Sequence, residues 1–126
     1  MRAADTNVLV RLTVRDDAKQ VAVAEAFVER GAWVSSVVLA EAMWVLRVVY
    51  ALTDDELIRT IESLLVHAQF VLQDPDAVSA ALVNFKLKPK NGFSDYFIVA
   101  LAQKHGHTPV GTFDKALAKL EGTHKL

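Results

Sequence analysis

A chain of 126 residues with 52% hydrophobic and 23% charged side chains has the size and composition of one compact domain, residues 1–126, which excludes a disordered tail. The absence of cysteine excludes disulfide scaffolds, thiolate zinc sites and thiol catalysis, and fits a reducing cytoplasm. The formal net charge of −1 hides an asymmetry: residues 1–83 carry 7 basic and 12 acidic side chains (net −5), and residues 84–126 carry 7 and 3 (net +4). Such a dipole suits either a polyanionic ligand or a plain solvated lysine face.

In chain order, residues 2–6 and the apolar stretch after them read as a buried first strand leaving through Asp5-Thr6-Asn7. The opening has no apolar run ending in a small-residue cleavage site, so no secretory signal is expected. Asp16 or Asp17 caps a helix to about Arg30, stopped by Gly31. Trp33 to Ser35 reads as a short strand, and Ser36 as the cap of a helix from Val37 to Tyr50. That helix is apolar nearly all round and is expected to be central. It belongs to the longest greasy run, Val34 to Leu52, which Glu41 and Arg47 interrupt, so it reads as a buried helix and not a membrane span.

Thr53-x-x-Glu56 is a capping box that opens a helix to about His67. Phe70 to Leu72 reads as strand, and Asp74-Pro75 opens a helix to about Leu87. Lys88-Pro89-Lys90-Asn91-Gly92 is the one clear loop composition. A helix from Ser94 to Lys104, a strand from Pro109 to Gly111, a helix from Phe113 to Leu120 and an edge strand at His124 to Leu126 complete the chain. Strands alternating with helices imply an α/β fold with helices on both faces of a central, mostly parallel sheet of four or five short strands. Ligands in such sheets bind at the carboxyl rim, so residues just after strands and at the starts of helices are the ones to examine.

Most of the 15 acidic residues read as helix-start or solvent-face carboxylates. Asp5, Glu41, Asp95 and Asp114 do not. Asp5 follows the first strand. Glu41 has Val37, Val38, Trp44 and Val45 as helical neighbours, so it is expected on a buried apolar stripe, where an ionised carboxylate must be paired, protonated or metal-bound. Asp95 opens a helix that leads into the strand at Pro109, and Asp114 follows that strand. Each alone could be a simple cap; together, four segments are expected to deliver carboxylates to one rim. Two unit charges about 5 Å apart repel by roughly 3 kcal/mol at an effective dielectric near 20, so such a group calls for retained protons or divalent cations. Oxygen donors without Cys or paired His favour Mg²⁺ or Mn²⁺ over zinc. His67, His105, His107 and His124 read as surface residues or helix-end cations.

Taken together, Asp5-Thr6-Asn7-Val8-Leu9, Ser36-x-x-Leu39-Ala40-Glu41, Phe93-Ser94-Asp95 and Thr112-Phe113-Asp114 resemble, in order and over essentially the whole chain, a PIN-domain ribonuclease of the VapC toxin type, from bacterial toxin–antitoxin pairs. The resemblance implies a three-layer α/β/α fold and an acidic quartet of Asp5, Glu41, Asp95 and Asp114 that is both catalytic and metal-binding. It implies Mg²⁺ or Mn²⁺ as cofactor, and Asn7, Ser36 and Thr112 as polar groups orienting carboxylates and water. It also implies hydrolysis of RNA phosphodiesters by metal-activated water, a VapB-like antitoxin as partner, and a homodimer. Gly92 departs from the pattern, since related chains often carry a polar or acidic residue there.

Lys86, Lys88 and Lys90 flank the loop before Asp95 and are candidate contacts for the RNA backbone, reading charge and not base identity. A non-catalytic PIN-fold RNA-binding protein and a nuclease acting on another nucleic acid are the alternatives. An unrelated phospho-acceptor or nucleotide-binding domain is disfavoured, because the chain lacks a Gly-x-x-x-x-Gly-Lys loop, a Gly-x-Gly-x-x-Gly turn and an Asp-x-Asp after the first strand.

Overall fold

The computed structural model describes all residues from Met1 to Leu126. It holds six α-helices and five short strands, divided between two compact units, Met1–Pro75 and Asp76–Leu126. No helix is long and apolar enough to cross a membrane.

The first unit begins with β1 (Arg2–Ala3) and continues through α1 (Thr6–Val14), α2 (Ala18–Val28), β2 (Ala32–Val34), α3 (Ser36–Val48), α4 (Asp54–Val66) and β3 (Phe70–Leu72). The three strands form one parallel sheet in the order β1-β2-β3, with Ala3 opposite Trp33 and Trp33 opposite Val71. Parallel strands require crossovers, and α1 with α2, then α3 with α4, supply them. Ala4, Val28 and Ala32 are buried together, with Val8, Leu12, Phe27 and Phe70 packed against them. Arg11 of α1 donates to the Tyr50 hydroxyl at 2.9 Å and pairs with Asp16 at 3.0 Å. These partners make the guanidinium hold its proton more tightly, the Tyr50 hydrogen bond foremost.

Three expectations for this unit are corrected. The first strand ends at Ala3, and the apolar stretch after it is helix α1. Asp5 supplies the cap, its Oδ1 accepting from Val8 N at 3.2 Å, and burial of Leu9 and Val10 on one helical face outweighs the strand preference of the valines. The cap of α3 is Ser35, whose Oγ accepts from Val38 N at 3.1 Å, and Ser36 is the first helical residue. Nor is α3 enclosed. It buries Leu39, Ala42, Met43 and Leu46 but leaves Val37 74%, Trp44 59% and Val48 58% exposed. The expected capping box of α4 is present: Thr53 Oγ1 accepts from Glu56 N and Glu56 Oε1 accepts from Thr53 N. These bonds hold the Glu56 carboxyl below its ordinary range.

The second unit contains α5 (Pro75–Leu87) from Asp76 onward, α6 (Phe93–Lys104), β4 (Val110–Thr112) and β5 (Thr123–Lys125). Single 3₁₀ turns lie at Pro89–Asn91 and Leu117–Lys119. Phe85 of α5 meets Phe93 edge-on at 6.1 Å between ring centroids, and Phe93 meets Phe97 at 5.2 Å. All three rings are buried, and they tie the end of α5 to the start of α6. β4 and β5 pair in parallel, with Thr112 opposite Lys125.

The expected helix from Phe113 to Leu120 is only the 3₁₀ turn at Leu117–Lys119. Residues 113–120 bury Leu117 alone, which is too little apolar face to sustain a helix. Five strands do occur and every pairing is parallel, but they belong to a three-stranded and a two-stranded sheet rather than one central sheet. A strand of two residues such as β1 offers few edge groups with which to extend a ladder.

Candidate metal centre

In the first unit the carboxyl edge of the sheet is marked by two hydrogen bonds, Ala4 N to Trp33 O and Gln73 N to Val34 O, both 2.9 Å. Asp5, Ser35, Ser36 and Gln73 follow directly. Asp5 is exposed, with one carboxylate oxygen engaged at the α1 cap. Ser36 N donates to Gln73 Oε1 at 3.0 Å. The Ser36 hydroxyl is buried without a hydrogen-bond partner, and an orphaned hydroxyl at a strand edge suits a site completed by a bound group. Asn7 is exposed on the first turn of α1.

Glu41 is exposed, not buried. The face it shares with Val37, Trp44 and Val48 points away from the side of α3 that packs. Arg47 is engaged by Asp54. The desolvation argument for Glu41 therefore does not hold, and its candidacy rests on the family pattern alone.

In the second unit two of the expected acids sense each other. A short connection, residues 105–109, turns the chain from α6 back to β4, so the start of α6 lies toward the carboxyl end of β4. Asp95 sits in the first turn of α6 and Asp114 two residues beyond β4. Asp95 holds its proton above the ordinary carboxylate range, first because burial penalises its charge and second because Asp114 repels it. Asp114 is fixed in place: Thr112 Oγ1 accepts from Asp114 N at 2.9 Å. Asp114 Oδ1 in turn accepts from Ala116 N at 2.8 Å and Leu117 N at 3.2 Å. Thr112 thus orients the acid that follows it through a part-buried bond.

No group of three or more His, Cys, Asp or Glu side chains is arranged to hold a metal ion. What the structure brings together is a pair. Two carboxylates suit Mg²⁺, which keeps much of its water and commonly takes one or two carboxylates from the protein. They suit zinc poorly, since zinc prefers nitrogen or sulfur donors. The four histidines are all exposed, as expected.

The loop before α6 carries exposed Lys88 and Lys90, and Lys86 is exposed on the last turn of α5. Two residues that hold these sites in shape escaped the sequence reading. Gln73 anchors the start of α3, and its signal was its place directly after β3. Tyr96 is buried, donates to Lys88 O at 2.7 Å and accepts from Asn91 Nδ2 at 3.2 Å, pinning the lysine loop to α6. Gly92 closes that loop at φ 82°, ψ 151°, a conformation essentially reserved for glycine. Open space surrounds the position where a Cβ would sit. A side chain at this position would meet backbone strain, not crowding.

Neither a comparison with curated proteins nor one with solved structures finds a match. Residues 3–122 match the PIN domain, a fold whose members are generally metal-dependent nucleases. With nearly the whole length matched and an acidic pair held at the end of β4, the chain belongs to the PIN domain family.

Proposed function

We propose that this protein is a Mg²⁺- or Mn²⁺-dependent endoribonuclease of the cytoplasm, the toxin of a VapC-type toxin–antitoxin pair. The observation that carries the reading is the Asp95–Asp114 pair, two mutually repelling carboxylates of which one is pinned by Thr112 and by its own turn. Asp95 and Asp114 are the residues that would hold the cation. Asp5 and Glu41 take the same role by the family pattern, with Asn7, Ser36 and Thr112 orienting carboxylates and water. A cation so bound lowers the pKa of water and neutralises charge growing on the phosphate.

The chain's own residues contribute position and charge. Thr112 holds the Asp114 backbone, and the Ala116 and Leu117 N–H groups fix its carboxylate. The exposed lysines 86, 88 and 90 attract the nucleic-acid backbone. A VapB-like antitoxin and a second copy of the chain are the partners that go with this reading.

The test is cleavage of end-labelled RNA by the purified wild type and by the Asp5→Asn, Asp95→Asn and Asp114→Asn variants, with and without a chelator. Cleavage that needs Mg²⁺ or Mn²⁺ and falls by at least about 100-fold in the Asp95 and Asp114 variants is expected, the size of effect that loss of a principal electrostatic group produces. Undiminished cleavage by both refutes the assignment. A DNA strand of the same sequence, run in parallel, decides between RNA and another nucleic acid.

A further inference from the structure

Of the six phenylalanines, five are buried or partly buried and one is not: Phe113 is 80% exposed. Its neighbours fix the backbone on either side of it. Thr112 before it is buried at the end of β4, and Asp114 after it is locked by the bonds to Thr112 Oγ1, Ala116 N and Leu117 N. The backbone that carries the ring is thus held on both sides, and the ring is rooted one residue before Asp114, whose charge reaches Asp95. The surrounding unit is cationic: residues 76–126 hold 7 lysines against 4 acids, net +3, with exposed Lys115 directly after Asp114. An aromatic face in water, beside an acidic pair and within a lysine-rich unit, matches the way single strands are gripped, by bases stacked on rings and phosphates near cations.

We propose that Phe113 stacks on a nucleobase of a single-stranded segment and so positions the strand beside Asp95 and Asp114, an inference that rests on the nuclease reading above. Stacking contributes affinity without hydrogen-bond readout, so Phe113 acts on strand binding and not on base identity.

The test uses the full chain and short single-stranded RNA oligonucleotides containing 2-aminopurine. With the metal chelated, the wild type is expected to quench the probe on binding, and Phe113→Ala to bind about 5- to 150-fold more weakly, the range of one base–aromatic stack. Phe113→Trp restores binding and Phe113→Leu does not. An abasic strand abolishes the difference between wild type and Phe113→Ala. In steady-state cleavage the loss appears in KM, with kcat at saturation unchanged.

Equal affinity of wild type and Phe113→Ala for the base-containing strand overturns the inference, and so does full rescue by leucine. Quenching without any cleavage keeps the stacking role and removes the nuclease reading. Cleavage with an unchanged KM in Phe113→Ala does the reverse. A wild type that neither binds nor cleaves any strand ends both.

Discussion

On the metal-ion reading proposed above, Asp95 serves two opposed demands. Burial and the nearby Asp114 both penalise its charge, yet a cation ligand must be ionised. In metal-free protein the folded state therefore keeps the Asp95 proton to higher pH than the unfolded chain does. The stability contributed by the protonated form is complete below the ordinary carboxylate range and is lost as pH rises through the elevated folded value. Asp95→Asn removes that loss. At neutral pH the variant is expected to be more stable than wild type by about 0.5 kcal/mol, a figure kept small because the side chain is partly exposed and screened. Chelated protein melted from acid to neutral pH checks the direction; a variant less stable than wild type at neutral pH contradicts it. Gly92 makes a second test. Its φ of 82° and ψ of 151° should make Gly92→Ala cost about 1–3 kcal/mol, although nothing would collide with the added Cβ. Urea unfolding of that variant measures the cost.

Among the elements, the capping box of α4 and the two faces of α3 show how much of each helix was written in its own residues. Thr53-x-x-Glu56 is a local signal, satisfied within one turn, and it reads correctly from composition alone. Thr53→Ala is expected to destabilise by about 1 kcal/mol, with helix loss visible by circular dichroism. The orientation of α3 was not local. A helix apolar on nearly every side does not declare which side packs, and the chosen face is Leu39, Ala42, Met43 and Leu46. Leu46, fully buried, should cost about 2–5 kcal/mol when cut to alanine. Trp44→Ser, on the exposed side, should stay within about 0.5 kcal/mol in dilute protein. If Trp44→Ser matches Leu46→Ala in chemical denaturation, the assignment of faces is wrong. The 3₁₀ turn at Leu117–Lys119 teaches the same lesson in reverse, since a permissive sequence formed no helix where only Leu117 packs.

For the molecule as a whole, a bound divalent cation should raise the melting temperature by mass action, increasingly with concentration in the millimolar range. Asp95→Asn and Asp114→Asn should each flatten that response, and a full wild-type shift in both variants would place the cation elsewhere. What could be read from the residues in order was most of the alternation of strands and helices, the cap at Thr53, the choice of Asp16 or Asp17 for the cap of α2, and the helix start and strand end that carry Asp95 and Asp114. These are legible because caps, turns and periodicity are set by neighbours within about four positions. Folding in three dimensions settled the remainder. Glu41 lies in the open, Phe113 stands in water, the Ser36 hydroxyl is buried without a partner, and the strands divide into two sheets. Burial and ladder pairing depend on residues far apart in the chain, and no local pattern encodes which of several apolar faces will find a partner.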